Sequence, residues 1–588
     1  MDNNALIEKA QEYIRLEKNI EFKKQIEELI VKEDWKELND RFYTELAFGT
    51  GGIRGVIGGG YNRLNTFIIH KTTQGLSNYI KKTVPVEKAS VVIAYDSRRY
   101  SDIFALEASL VLCGNGIKTF LFTGLRPTPE LSFAVRLFGA TSGIVVTASH
   151  NPAEYNGYKV YWSDGGQIVS PHDKGIVEEV RRVKGGEISV LTKEAAVSRG
   201  LLKMVDEEVD RPFIDMVKGL SLRPALVREK GRTLKAVYTP LHGTGAMPVC
   251  KALSELGIDV IFVEKQKAPD GNFPTVEFPN PEEASAMKMA LDLAREKKAD
   301  LVLGTDPDAD RLGIAVPDNG DYKLITGNQL GALLLDYILS TRAENKTLPQ
   351  NGAFIKTIVT SELQRLIAES YGVKCFDVLT GFKYIGEKIR EFEAQTNGPV
   401  FIFGGEESYG YLDNTYVRDK DAVSAAAMAV EMALYHVSQG NTVISRLNTL
   451  YEQFGYFEET LVSKYFKGES GLKTMNGFMA GLRKTPPEVF AGKNVTVVKD
   501  YKNRTAMERK TGKIENIALP SSDVLQFLCD DGSLITVRPS GTEPKIKFYA
   551  SCRTLPGSSL VEAKKETDKK IAAIKNAISG LIEEASHV

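Results

Sequence analysis

A repeating rhythm constrains the fold more than any other feature of this chain: short β-branched runs alternate with amphipathic segments, and the alternation restarts twice. The first round reads VVIAY (91–95), DIFALEASLVLCG, KTFLF, TPELSFAVRLFG and SGIVV. The second begins at LKAVY (234–238) and continues through MPVCKALSELG, DVIFVE, a helical stretch over 282–298 and ADLVLG. The third takes in a helical stretch over 328–341, AFIKTIV, TSELQRLIAESYG, VKCFDV, a helical stretch over 381–395 and PVFIFGG. Strands separated by helices make layered α/β units. The tail breaks the rhythm: NVTVVKDY, VLQFLCD, SLITVRP and KIKFYASC are strands joined by turns, followed by one helix over 558–586, the order of an α+β domain. The expected architecture is α/β, with three related mixed-sheet domains and a smaller C-terminal α+β domain around one central cleft. The boundaries expected are 1–205, 206–326, 327–455 and 456–588.

Length agrees with this division, since 588 residues at roughly 150 per domain give about four domains. Charge excludes some functions. With 75 basic and 76 acidic residues the net is −1, so the broad positive field of a protein that coats nucleic acid or a membrane surface is absent. The five cysteines (113, 250, 375, 529 and 552) are scattered and form no CxxC pair, which argues against a disulfide framework or a zinc cluster and for buried thiols in a reducing compartment. The first residues mix acids and bases at helical spacing without the order of a secretory signal, and no apolar run nears the ~18 residues of a membrane span. The expectation is a soluble cytoplasmic protein, monomer or weak homo-oligomer, with no nucleic-acid or membrane partner.

Each α/β round ends with a strand running into a polar loop: SGIVVTASHNP, ADLVLGTDPDADR and PVFIFGGEESYG. Ligands of open α/β sheets gather outside the carboxyl ends of strands, so the three loops could face one cleft. In GTDPDADR, Asp306, Asp308 and Asp310 recur with period two, and an extended loop would turn all three carboxylates to one side. At ~6 Å separation and an effective dielectric of ~20, each like-charge pair costs on the order of 2 to 3 kcal/mol, which a hard divalent cation would remove. A solvated acidic turn is the plain alternative. The loop is not an EF-hand, because Arg311 and Pro317 stand where Gly and Glu would be needed; three carboxylates with open positions suit Mg²⁺ that also grips a phosphate oxygen.

In TASHNP, Ser149 beside His150 could carry a phosphoryl group. Lys159, ten residues on, would serve as general acid or base if a closed cleft depresses its pKa. A capping or turn role for Ser149 is the alternative. No G-x-S-x-G elbow is present. The segment Arg538-Pro-Ser540-Gly541-Thr542-Glu543-Pro-Lys545 combines a guanidinium, hydroxyls, a tight backbone and an ammonium, the parts of a phosphate nest, although a hairpin turn would also explain it. GTGGIRG lacks both the dinucleotide and the P-loop patterns, and Arg54 could instead contact a phosphate. Glu406 and Ser408 in GEESYG could bracket vicinal sugar hydroxyls.

Taken together, TASHNP, GTDPDADR, GEESYG and RPSGTEPK, one per domain and in this order, make the chain resemble the α-D-phosphohexomutase family over nearly its whole length. The resemblance implies a four-domain enzyme whose phosphoserine, here Ser149, lends its phosphoryl group to a hexose phosphate. It implies Mg²⁺ held by Asp306, Asp308 and Asp310 with the Ser149 phosphate, Lys159 as general acid/base, and Arg54 and Arg311 as charge stabilisers. His150 is grouped with that catalytic set as the neighbour of Ser149. Sugar contacts would come from Glu406 and Ser408 and from Thr380, Gly381 and Lys383, and the distal phosphate clamp from Arg538, Ser540, Gly541 and Thr542. Glucose 1,6-bisphosphate would be the intermediate and activator, and sugar phosphates the small-molecule partners. Tyr409-Gly410 after GEES resembles the glucose-selective branch. Pentose or mannose phosphates, an aspartyl-phosphate phosphatase with Asp306 as nucleophile, and a non-catalytic sugar-phosphate sensor are the other readings. His242 in TPLHGTG reads as a loop residue, and the charged leader before Arg41 carries no assigned function.

Overall fold

The computed structural model describes all residues except 1, 50, 467, 540–544 and 587–588. Two compact units are present, residues 1–327 with 382–439 and residues 328–381 with 440–588.

In the first unit, six strands order as Gly52–Val56, Tyr155–Trp162, Ser142–Val146, Ser90–Tyr95, Lys118–Phe122 and Leu202–Val205. The last four run parallel, joined by crossover helices such as Ser101–Gly114 and Thr128–Leu137, while Tyr155–Trp162 lies antiparallel to both its neighbours. Ser142–Val146 is buried at every position, as a central parallel-type strand covered on both faces should be. A second sheet orders Asp321–Ile325, Leu312–Asp318, Leu301–Thr305, Ala236–Thr239 and Val260–Phe262, antiparallel across its first two pairs and parallel across the rest. The hairpin Val400–Glu406 and Gly410–Leu412 and the buried helix Ala422–Ser438, capped by Asp421, complete this unit.

The leader is part of the fold. Helices Asn3–Leu16, Ile20–Val31 and Trp35–Phe42 place Leu6, Ala10, Tyr13, Phe22, Ile26, Leu38 and Phe42 in the core of the first sheet domain. Full burial of each large side chain is worth about 1.5 to 3 kcal/mol. Glu17, fully buried, is satisfied by Tyr13 Oη (2.9 Å) and by the backbone N–H groups of Lys18, Asn19 and Phe67.

The second unit contains the parallel pair Gly352–Thr357 and Lys374–Val378 and an antiparallel sheet ordered Tyr456–Tyr465, Lys545–Thr554, Leu534–Pro539, Leu525–Cys529, Lys493–Asp500, Thr505–Glu508 and Ile514–Asn516. Ile571, Ile574, Ile578 and Ile582 on the final helix join that sheet's core. Three mixed α/β layers and a C-terminal antiparallel domain are thus as expected. The thiols differ from expectation in part: Cys113, Cys529 and Cys552 are buried, but Cys250 and Cys375 are only half-buried, and all five are free. No helix among the described residues is long and apolar enough to cross a membrane.

Candidate functional site

Ser149 follows the buried strand Ser142–Val146 and adopts φ +52°, an uncommon left-handed conformation for a residue with a Cβ. A relay fixes it: the Ser149 N–H donates to Thr147 Oγ1 (2.8 Å), and that hydroxyl donates to Asp96 Oδ2 (2.6 Å). The side chain is 3% exposed. Its Oγ donates to Asp306 Oδ2 at 2.7 Å and lies 3.1 Å from His150 Nδ1. The two loops, 157 residues apart in sequence, meet at one hydrogen bond.

The three aspartates converge, but by a different geometry from the one expected. Residues 306–310 form a tight turn after the strand Leu301–Thr305, with Ala309 at φ +48° and its N–H bonded to Asp306 O (2.9 Å). Period-two alternation along an extended loop is therefore not what gathers them; Asp306 Oδ1 closes the turn by accepting the N–H groups of Asp310 (3.1 Å) and Arg311 (3.0 Å). One oxygen from each carboxylate lies within 4.8 Å of the others, and all three residues are buried. Among the described residues this is the only cluster of that kind.

The donor set fits a hard cation. Asp308 Oδ1 and Asp310 Oδ1 are buried without a hydrogen-bond partner, an expensive state for carboxylate oxygens that a divalent ion with oxygen preference would relieve. Burial, with Asp308 and Asp310 adding to it, pushes Asp306 well above the usual carboxylate range. Burial acts the same way on Asp308, but the Lys159 ammonium, the hydrogen bond with Asp306 and the Lys420 charge together outweigh it and hold Asp308 below that range.

Lys159 sits on the strand Tyr155–Trp162, where Asn156 and Gly157 prepare its position. Asn156 Nδ2 donates to Arg99 O and Ser101 Oγ, and a Cβ on Gly157 would stand 2.5 Å from Thr147 O, so only glycine lets the strands approach there. The Lys159 ammonium donates to Asp308 Oδ2 at 2.7 Å and to Asp310 Oδ2 at 3.4 Å. The condition of a depressed pKa is not met in the free site. Burial does pull Lys159 down, but the two aspartates more than offset it, so it stands above its ordinary value and is protonated.

Arg311 donates to Glu282 (2.8 Å), and its buried Nε has no hydrogen-bond partner. Exposed Arg54 donates to Asn151 Oδ1 (3.0 Å). Burial, then the charges of Arg311 and Arg54, hold His150 far below its ordinary value, so its imidazole is neutral. Glu406 is buried at the end of Val400–Glu406 and faces the charges of Arg311 and Lys420, with Ser408 in the turn that follows. Tyr409, at φ +64°, closes that turn and its carbonyl accepts the Leu312 N–H (3.0 Å). Lys383 opens the helix Lys383–Glu393.

The remaining candidates belong to the second unit. Gly381 has φ +124°, Thr380 Oγ1 is buried without a hydrogen-bond partner, and half-buried Arg538 lies on Leu534–Pro539. Ser540, Gly541 and Thr542 fall outside the described residues.

Five residues of the first unit were missed. Thr128 binds Asp308 twice, its Oγ1 donating to Oδ2 (3.0 Å) and its N–H to the carbonyl (2.9 Å). Lys420 lies 3.2 Å from Asp310 Oδ2 and 3.1 Å from Asp419 Oδ1, and Asp419 in turn accepts Tyr161 Oη (2.7 Å). Arg98 binds the Ser149 loop from beneath. A signal for Arg98 existed: YDSRR is a fourth polar loop at the end of a strand.

Four family models match in chain order: phosphoglucomutase/phosphomannomutase alpha/beta/alpha domains I, II and III over residues 45–186, 211–320 and 326–454, and the C-terminal domain over 493–556. The phosphoglucomutase of Staphylococcus haemolyticus is 36% identical over 513 residues, 87% of this chain and 91% of the relative. That of Staphylococcus aureus strain USA300 is 37% identical over 522 residues, 88% and 91% respectively. Among solved structures, the phosphoglucomutase pp63/parafusin from Paramecium, in an open form, superposes with a TM-score of 0.68 at 17% identity, covering 92% of this chain and 95% of the other. A phosphoglucomutase/phosphomannomutase family protein from Burkholderia thailandensis gives 0.64 at 18%, covering 92% and 98%. These two likenesses are of fold.

Proposed function

From the premise that this chain belongs to the phosphoglucomutase/phosphomannomutase family and is an isomerase-class enzyme, we propose that it interconverts glucose 1-phosphate and glucose 6-phosphate through a phosphoserine at Ser149. The observation that carries this reading is the 2.7 Å contact between Ser149 Oγ and Asp306 inside the carboxylate trio. Phosphoryl transfer asks for alignment and charge neutralisation more than for covalent chemistry, and these loops offer both.

Asp306, Asp308 and Asp310 would hold Mg²⁺, which when bound supplies positive charge to the phosphoryl oxygens at the Ser149 end. In the forward half-reaction the phosphorus–Oγ bond of Ser149 breaks as a bond forms to O6 of glucose 1-phosphate. The Lys159 ammonium would give a proton to the departing Ser149 Oγ and the amine left behind would take the O6 proton, so that the lysine serves as general acid and base and ends the half-reaction protonated. Arg54 and Arg311 would bring positive charge to the same centre, while sugar contacts are assigned to Glu406, Ser408 and Lys383 of the first unit and, separately, to Thr380 and Gly381 of the second. Glucose 1,6-bisphosphate then turns over, returns its C1 phosphoryl group to Ser149, and leaves glucose 6-phosphate. A turn of that kind needs a second phosphate site, the role given to Arg538, Ser540, Gly541 and Thr542. Four domains divided near 206, 327 and 456 and a cytoplasmic location belong to the same reading.

The test is turnover of glucose 1-phosphate, mannose 1-phosphate and ribose 1-phosphate, each with trace bisphosphate and Mg²⁺, by the native chain and by Ser149→Ala. A clear preference for glucose, lost almost entirely in the variant, is expected. Equal or better pentose rates would overturn the sugar assignment, and full activity without Ser149 would overturn the mechanism.

A further inference from the structure

Arg98 lies under the Ser149 loop, and nothing in the mechanism above employs it. Its side chain is fully buried, and its guanidinium fork is spent on backbone. Nη1 donates to Pro152 O (2.8 Å) and Tyr155 O (3.0 Å); Nη2 donates to Ser149 O (2.5 Å) and Asn151 O. One cation thus gathers four carbonyls of residues 149–155, the whole connection from the reacting serine to the strand carrying Lys159. A loop with a serine at positive φ needs such over-determination to persist. The counter-charge is Asp96, with Oδ2 3.3 Å from Arg98 Nε, and the same carboxylate oxygen takes the Thr147 hydroxyl that fixes the Ser149 N–H.

The flat face of the guanidinium is covered by Phe273, whose ring centroid lies 4.9 Å from Cζ. Phe273 is 2% exposed and comes from the second α/β domain, on a loop seated so closely that a Cβ on Gly271 would stand 2.5 Å from Ser97 O. His242 ties that loop down: its ring nitrogens meet Ala268 O (3.2 Å) and Thr275 Oγ1 (2.9 Å), and its carbonyl accepts the Asp270 N–H (3.1 Å). The next two residues hold the aspartate turn, because a Cβ on Gly243 would come within 2.4 Å of Pro307 Cα and the Thr244 N–H donates to Pro307 O (2.8 Å). The turn at 240–245 therefore grips both the loop that seats Arg98 and the loop that bears the trio.

We infer that Arg98, seated by Phe273, is a positioning residue that sets the Ser149 loop against the aspartate turn, and that the turn around His242 keeps the two in register. The inference rests on the phosphoserine reading. Lysine cannot replace the fork, since a single ammonium with three donors cannot span four carbonyls from one point. Misplacement near 1 Å at a reacting group is enough to slow transfer by about 100-fold.

The test compares Arg98→Lys and Phe273→Leu with the native enzyme in thermal midpoint, in kcat and KM for glucose 1-phosphate, and in the rate at which glucose 1,6-bisphosphate phosphorylates Ser149, followed by intact mass. Arg98→Lys is expected to lower kcat and the loading rate together by about 100-fold, and Phe273→Leu by about tenfold, with KM within about threefold of native. A folded variant that keeps native kcat and loading rate, that loses activity only through KM, or that loses kcat with loading intact overturns the inference. If Arg98→Lys does not fold, Phe273→Leu decides by the same criteria. Native enzyme that turns over without phosphate on Ser149 defeats the functional reading itself, whereas native loading with unaffected variants defeats this inference alone.

Discussion

Gly410 is expected to be indispensable because of Lys420. A methyl group built on Gly410 would stand 2.1 Å from Lys420 Cδ and 2.6 Å from Cγ, well inside the ~3.5 to 4 Å of ordinary carbon contact. Gly410→Ala must therefore push the middle of the Lys420 stem aside and withdraw its ammonium from Asp310 (3.2 Å) and Asp419 (3.1 Å). At an effective dielectric of ~20 each contact is worth about 5 kcal/mol in gross Coulomb terms, but removing one partner of a buried pair costs only about 3 to 5 kcal/mol net. Lys420 is 14% exposed, so water can recover part of that, and the lower end applies. If the loss falls on the reacting arrangement, about 3 kcal/mol corresponds to a drop in kcat/KM of about 100-fold. The assay is steady-state turnover of glucose 1-phosphate at saturating Mg²⁺ for Gly410→Ala, Lys420→Ala and the double variant. Because Lys420→Ala removes the clashing atoms, the second substitution should add nothing to the first. Native activity in Gly410→Ala, or full additivity in the double variant, would refute the reasoning.

Two other outcomes follow from the same geometry. Burial, reinforced by Asp413, pushes Asp421 up to about 7, so between about pH 4 and pH 7 the folded chain holds a proton that the unfolded chain releases, and stability should fall as pH rises through that window. The contribution is at most about 4 kcal/mol, and Asp421→Asn, which keeps the helix cap, should flatten the pH dependence of the thermal midpoint. A slope unchanged by the substitution would contradict this. Chelation should abolish turnover, and Mg²⁺ should restore it and add about 2.7 kcal/mol of stability at 100 times its Kd, an increment that Asp308→Asn should remove in thermal melts.

Much of the site was legible because its parts sit where strands end. Ser149, the three aspartates and Glu406 each follow a β-branched run that is unmistakable in sequence, and polar residues packed into such loops stand out against it. What could not be read depended on tertiary contact. The aspartate turn closes on a side-chain-to-backbone bond from Asp306, which spacing cannot distinguish from an extended segment. Lys159 lies on a strand whose Asn and Gly dilute the β signal, and the direction of its pKa shift is set by carboxylates about 150 residues away in sequence. Arg98 and Lys420 sit beside acidic residues in sequence, a pattern that usually marks solvated surface; here both are enclosed. The amphipathic leader was visible as helices, but its seat on the first domain's core was not, because any apolar stripe can be buried by any partner.

The central claim is tested most directly by site-resolved mass spectrometry of the native protein after incubation with glucose 1,6-bisphosphate and then with excess glucose 1-phosphate. One phosphoryl group should appear on Ser149 and leave in the second step as glucose 1,6-bisphosphate forms. Phosphate on Asp306, or bisphosphate formed while Ser149 remains unmodified throughout, would contradict it.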